Sequence, residues 1–317
     1  MKIGFLTHGL TLRGAEVAVL DYALAARSVL GMESFLLVRR GEETESSPVY
    51  GRWKKMLPCL LYSNRTDLQR VLAENQIGTL YQIKPGRNDG WVVPGVRNCI
   101  HAMFPSTEFH GDVYLYVSRW LSRAMTGRDD RFVPHLVNQV PAQGNLRREL
   151  GIPETARVFG RHGGADTFDI PFVQRLVRAH ARAHPGDHFI FLNTREFLPS
   201  GDRPANVHFL PGTADPARKA AFLASCDAML HARRSGETFG LAVGEFAVRG
   251  KPVITYGGSR ERAHLEMLGA EAVVYDNERG LEEILRGFTP RAAGAGEYGL
   301  CRDPAQVMAL FRERFLD

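Results

Sequence analysis

Apolar strand-like and helix-like segments alternate along this chain in a way that predicts an α/β protein of two Rossmann-like, doubly wound domains. Length is the first support: 317 residues exceed one small domain and fit two of about 150 residues each. The second is the opening. Residues 3–7 are apolar, residues 15–30 place Val17, Val19, Leu20, Ala23 and Leu24 at helical spacing before Gly31, and residues 35–38 are apolar again. The third is recurrence of this alternation beyond residue 150, without any internal sequence repeat. A strand–helix–strand order of this kind builds a parallel sheet covered by helices.

In chain order, residues 66–75 read as a helix and 79–83 as a strand. Residues 99–104 read as a strand end running into a loop. Residues 114–117 read as a strand, followed by a helix over 119–125 with Ser118 as its N-cap. Residues 133–137 lead out of the first domain, and the boundary is placed near Pro141, giving domains of 1–141 and 142–302. The second domain reads as helix 146–150, strand 156–161, helix 172–183, strands 188–193 and 207–210, helix 215–225 and strand 227–232. A helix from Phe239 to Gly250, strand 252–256, helix 261–268, strand 272–275 and helix 281–288 follow, and residues 304–315 form a closing helix.

Composition narrows the function. Hydrophobic residues make up 44% and charged residues 24%, which supplies an ordinary core and argues against disorder. The formal net charge of +5 is spread along the chain. Nucleic-acid binding would concentrate it in a stripe with aromatics, so the charge fits an anionic small ligand or, at most, peripheral contact with an anionic membrane. Residues 41–58 read as a polar surface loop in which Trp53, among Arg52, Lys54 and Lys55, is a candidate for such contact. The four cysteines show no C-x-x-C pair and read as free thiols of a reducing compartment. The N-terminus reads as a strand rather than a signal peptide, and no apolar run nears the ~20 residues of a membrane span. These features together place the chain in the cytoplasm.

Chemistry concentrates in residues 236–246, where Glu237 and Glu245 lie eight positions apart around a Gly-rich turn. A helix opening at Phe239 would offer unpaired N–H groups and a partial positive charge, which suit a phosphate. Eight helical residues rise about 12 Å, so the two carboxylates are spaced to grip opposite ends of a long polar ligand with an anionic middle. A nucleotide-diphosphate sugar has that shape. An ordinary loop–helix–strand unit also carries two such glutamates by chance, but the glycines and apolar residues between them recur by chance far less.

The run Arg234-Ser235-Gly236-Glu237-Thr238-Phe239-Gly240-Leu241, with Glu245-Phe246-Ala247 and the Gly-Lys-Pro-Val-Ile of 250–254, resembles the E-x7-E signature of retaining GT-B glycosyltransferases of family 4. That resemblance implies a GT-B fold, two domains facing across a cleft, with a C-terminal helix at about 303–317 crossing back onto the first. It implies Glu237 on the donor sugar's hydroxyls, Glu245 on the ribose hydroxyls, and Thr238, Phe239, Gly240 and Leu241 as a donor-binding turn. Gly160-Arg161 resembles the family's Gly-Arg, whose guanidinium clamps the diphosphate with its bidentate fork. The family's lysine five or six residues later is replaced by Asp166 and Thr167. A nest of Gly163 and Gly164 amides and the charge of Arg233 or Arg234 are the substitutes at hand. Gly14, in Arg13-Gly14-Ala15-Glu16, resembles the family's Gly-Gly-Ala-Glu turn. His101 best matches the family's histidine beside the reacting sugar, with His110 as competitor and a purely structural role as the alternative for either.

The absence of any Asp-x-Asp agrees with a metal-free, cofactor-free donor site. The resemblance thus implies retaining transfer of a sugar from a nucleotide-diphosphate donor to a glycan, lipid or other acceptor. A nucleotide-sugar 2-epimerase of the same fold is one rival. A non-catalytic binding protein, degenerate at Asp166 and Thr167, is another. A dinucleotide oxidoreductase is disfavoured because G-x-G-x-x-G is missing.

Overall fold

Val137 donates its amide to the carbonyl of Cys301 at 2.9 Å, and the chain changes unit at that residue. In a computed structural model that describes residues 1–7, 9–10, 14–41, 44, 47–199 and 201–317, one unit comprises Met1–Leu136 with Asp303–Asp317 and the other Val137–Arg302. The sequence places the first boundary near Pro141 and the return at about residue 303.

The first unit contains β1 (Lys2–Leu6), α1 (Gly14–Ser28), β2 (Glu33–Arg39), α2 (Pro48–Lys54), β3 (Cys59–Tyr62), α3 (Arg65–Glu74), β4 (Thr79–Lys84), β5 (Arg97–Ala102), β6 (Val113–Tyr116) and α4 (Arg119–Thr126). All six strands are parallel, in the order β3-β2-β1-β4-β5-β6. Ser118 caps α4, its hydroxyl accepting from Leu121 N at 3.1 Å. The chain closes on this unit: after an intervening stretch in the second unit, Phe311 and Phe315 pack their rings 5.1 and 5.3 Å from that of Tyr81.

Residues 48–58 depart from the surface loop expected over 41–58. Val49, Tyr50, Trp53 and Leu57 are all buried, Trp53 to 2% exposure, because a helical turn puts them on one face. Ser47 caps that helix by accepting from Tyr50 N. Trp53 is therefore a core residue and not a membrane contact; the polar composition of the stretch hid a narrow apolar face. Among the described residues no helix is long and apolar enough to cross a membrane.

The second unit contains β7 (Arg157–His162), α5 (Pro171–Ala183), β8 (Asp187–Leu192), β9 (Val207–Leu210), α6 (Pro216–Ser225), β10 (Ala228–His231), β11 (Gly236–Glu237), α7 (Leu241–Ala247), β12 (Val253–Tyr256), β13 (Glu261–Arg262), α8 (Ala263–Leu268), β14 (Ala272–Tyr275), α9 (Glu278–Gly287) and α10 (Tyr298–Cys301). Its main sheet is again six parallel strands, ordered β14-β12-β10-β7-β8-β9, and β11 and β13 form a separate ribbon. The expected helix over 146–150 is a set of turns. Buried Arg147 accounts for this, since its guanidinium donates to the carbonyls of Ser225, Glu154 and Ala156 and pairs with Asp227. After α10 the chain returns to the first unit as α11 (Pro304–Phe311) and a last π-helical turn.

In each sheet the winding direction reverses at one point, between β1 and β4 and between β7 and β10. Open α/β sheets bind ligands outside the carboxyl ends of strands at such points. On β7, Gly160 is needed for packing: a Cβ there would lie 2.2 Å from Cys226 Sγ and 3.2 Å from Phe246 Cζ. Gly160→Ala should lower stability by about 1–3 kcal/mol, read as a lower urea midpoint. An unchanged midpoint would show that the strand can shift to make room.

Candidate functional site

The switch point of the second unit collects charge. From β7 come Arg161 and His162, from β10 come His231 and, two residues on, Arg233, and the E-x7-E segment supplies Glu237 and Glu245.

Arg161 is 3% exposed and tied into the loop that follows it. Its guanidinium donates to the Gly164 carbonyl at 2.8 Å, to the hydroxyl of Thr167, to the Thr194 hydroxyl at 2.5 Å and to the Asn193 carbonyl at 3.3 Å. Thr167, at one of the two positions where the family 4 resemblance implies a lysine, thus fixes the arginine instead of adding a second charge. Burial lowers the Arg161 pKa to about 10, with Glu237 opposing and Arg233 reinforcing the shift; the side chain stays cationic at neutral pH. Asn193, itself at φ +51, donates from its side chain to the Gly163 carbonyl at 2.8 Å. These bonds turn the carbonyls of Gly163 and Gly164 toward the protein. Asp166 pairs with Arg195 at 2.7 Å on the surface.

Glu237 sits in the β11–β13 ribbon, opposite Arg262 in register. Its approach requires the preceding glycine: Gly236 has φ +75, and a Cβ there would fall 1.9 Å from the Glu261 carbonyl oxygen. His231 Nε2 lies 3.3 Å from Oε1 and Arg233 Nη1 donates to Oε2 at 2.8 Å. Burial alone would raise this carboxyl's pKa, but His231 and Arg233 outweigh it and hold it at about 2. The side chain keeps 20% exposure, so an ionised carboxylate with spare lone pairs reaches solvent.

Glu245 is engaged on both oxygens. Lys219 of α6 bonds Oε1 and His162 Nε2 is 2.9 Å from Oε2. Burial again opposes ionisation, and Lys219 with His162 hold the carboxyl at about 2. The turn between the two glutamates differs from the expected helix start at Phe239. Gly240 has φ +86 and caps α7, which opens only at Leu241, because a left-handed residue cannot continue a right-handed helix. The two carboxylates therefore do not share one helix, and the rise of about 12 Å for eight helical residues does not apply. Thr238 and Phe239 are buried, and the Tyr298 hydroxyl donates to the Phe239 carbonyl.

The remaining candidates belong to the first unit. His101 has 0% exposure, with Nδ1 2.5 Å from the Tyr81 hydroxyl and Nε2 against the carbonyls of Tyr116 and Val133 at 3.1 and 2.9 Å. Burial pushes its pKa down to about 4. The expectation that His101 faces a sugar is corrected: both nitrogens are used inside the core. His110, the competitor, lies in a loop with Nδ1 2.6 Å from the Glu108 carbonyl. Gly14 begins α1 and is exposed; Arg13, the other half of that turn, lies outside the described residues.

Sequence reasoning passed over His162, Lys219, His231, Thr255 and His264. The strand-end rule alone could have found His162 and His231. Among the described residues no cluster of three or more His, Cys, Asp or Glu could hold a metal ion.

No family model and no curated protein matches the chain. Solved structures do match along its whole length. HepE from Anabaena, in complex with UDP-glucose, aligns over 99% of this chain and 95% of its own, at 16% identity and a TM-score of 0.66. A glycosyltransferase involved in avilamycin A biosynthesis covers 99% and 97% at 17% identity and TM-score 0.58. A putative UDP-N-acetylglucosamine 2-epimerase from Listeria monocytogenes covers 99% and 96% at 11% identity and TM-score 0.61. The chain has the GT-B fold, with two Rossmann-like parallel-sheet domains.

The titrating groups set a pH dependence of stability. A histidine held near 4, as His101 is, titrates near 6.5 when unfolded, so its stabilising contribution is complete above 6.5 and is lost as pH falls toward 4. Glu237 and Glu245, both at about 2, ordinarily titrate near 4.3; their contribution is complete above that value and is lost only below it. The urea midpoint should therefore already fall between pH 7 and pH 5, by about 1–2 kcal/mol from His101 alone. A flat profile over that interval would mean the buried histidines gain a proton without unfolding.

Proposed function

We propose that this chain is a family 4-type glycosyltransferase that moves a sugar, with retention of anomeric configuration, from a nucleotide-diphosphate donor and needs no metal. The observation that carries the reading is the part-exposed, ionised carboxylate of Glu237, set between cations at the sheet's switch point. Its free lone pairs accept from the hydroxyls of a donor sugar. Arg161 supplies positive charge from within a desolvated site, where a charge acts more strongly than in water. Arg233 adds a second cation, and the turn at Gly163 and Gly164 carries amides suited to phosphate oxygens. Preorganised donors of this kind stabilise charge building on a leaving diphosphate without reorganising during the reaction.

In this arrangement Thr167 takes over the anchoring of Arg161, so the missing lysine is a change of wiring rather than the loss of the site. Glu245, paired with Lys219 and His162, presents a neutralised group to a ribose, and Lys219 offers a donor of its own. Thr238, Phe239, Gly240 and Leu241 shape the wall between the sugar and nucleotide ends. Support for the donor class comes from HepE, solved with UDP-glucose and with UDP and glucose. The acceptor class proposed is a glycan or lipid-linked glycan, and the compartment is the cytoplasm.

A second reading, a nucleotide-sugar 2-epimerase, draws on the Listeria structure. The two differ in product: the epimerase releases a free nucleotide-sugar epimer, the transferase a glycoside and a nucleoside diphosphate.

Screening nucleotide sugars by thermal shift should give a hit that raises the melting temperature by mass action and is then turned over. Glu237→Ala should abolish that turnover while leaving the circular dichroism spectrum unchanged; full activity in the variant would remove Glu237 from the site. Turnover should persist in excess EDTA, and a strict divalent requirement would contradict a metal-free reaction.

A further inference from the structure

Behind Glu237 lies a row of buried groups that donor binding does not itself require. Register places His231 of β10 opposite Thr255 of β12. His231 Nδ1 is 2.8 Å from the Thr255 hydroxyl, and His264 Nε2, from α8, is 3.1 Å from the same oxygen. Thr255 and His264 have 0% exposure and His231 has 5%. The His231 backbone is held as well, its carbonyl accepting from the Tyr275 hydroxyl at 3.0 Å.

We propose that His264, Thr255 and His231 form a one-way hydrogen-bond relay that keeps His231 a donor to Glu237, which makes His231 the positioning residue for that carboxylate. The direction follows from proton counting. An ionised carboxylate only accepts, so His231 Nε2 carries the proton that faces Glu237. In a neutral imidazole the other nitrogen is then an acceptor, so the Thr255 hydroxyl donates to His231 Nδ1. That hydroxyl has one proton, so toward His264 it accepts, and His264 Nε2 donates. His264 Nδ1 is left as a bare acceptor, and it is the buried histidine nitrogen in this row that lacks a hydrogen-bond partner. The nitrogen that the proton count strips is the one that the packing leaves unpaired. In the reverse direction, His231 Nε2 would set a lone pair against a carboxylate lone pair.

The role in donor recognition rests on the glycosyltransferase reading; the relay itself does not. Long-range 1H–15N spectra of the full chain at pH 7.5, assigned through loss of signals in His231→Asn and His264→Asn, should show both rings as neutral Nε2–H tautomers. An Nδ1–H tautomer at either would overturn the relay. With UDP-glucose as the probe donor, Thr255→Val should lower kcat/KM about tenfold, whereas Thr255→Ser, which restores the hydroxyl, should stay within twofold of the parent. Equal losses in the two variants would show that Thr255 acts by packing and overturn the positioning role. If the unaltered chain turns over no nucleotide sugar, the functional reading fails, and the tautomers still decide the relay.

Discussion

The second unit is arranged around a charge that would be expensive to bury alone. Desolvating a carboxylate costs several kcal/mol unless hydrogen bonds and opposite charge offset it. Glu237 receives His231 from a strand end and Arg233 from the loop after it, while Arg161 feels its field from the neighbouring strand. Removing any one partner would leave the others under-compensated. The β11–β13 ribbon follows from the same constraint, since it holds Glu237 against a neighbouring backbone at a distance that only Gly236 permits.

Opposite charges are paired throughout the cluster. Glu245 is paired with Lys219 and His162, Glu237 is paired with Arg233 and His231, and Arg161 adds a buried cation from the neighbouring strand. The cations are drawn toward protein carbonyls and carboxylates, so under the proposed function a diphosphate would compete with internal bonds instead of filling an empty clamp. That competition is the physical difference between this site and one with a free lysine at position 167.

Much of the architecture was legible because buried parallel strands read as apolar runs and helices as spaced apolar faces. The cap at Ser118 and the strand ending in Arg161 came from local chemistry that needs no tertiary information. Glu237 was legible through its glycine-rich neighbourhood. Its partners were not: Thr255 lies 24 residues from His231, and Lys219 lies 26 from Glu245, and only strand register and helix packing bring them together. The helix holding Trp53 hid because three cations outvote one apolar face in a composition reading. The start of α7 was misplaced because Gly240 adopts a left-handed conformation that the sequence permits but does not demand. His101 shows the limit of the strand-end rule, which gives position along a strand but not which groups enclose the side chain.

Whether a nucleotide diphosphate sits at the β7–β10 switch point, as proposed, is tested most directly by a crystal structure with UDP. The phosphate oxygens should lie within hydrogen-bond distance of the Gly163–Gly164 turn and beside Arg161, with Glu237 beyond them on the sugar side. Density for the diphosphate elsewhere, such as in the cavity of about 710 Å³ between β14 and α9 lined by Asp276, Asn277 and Glu283, would contradict it.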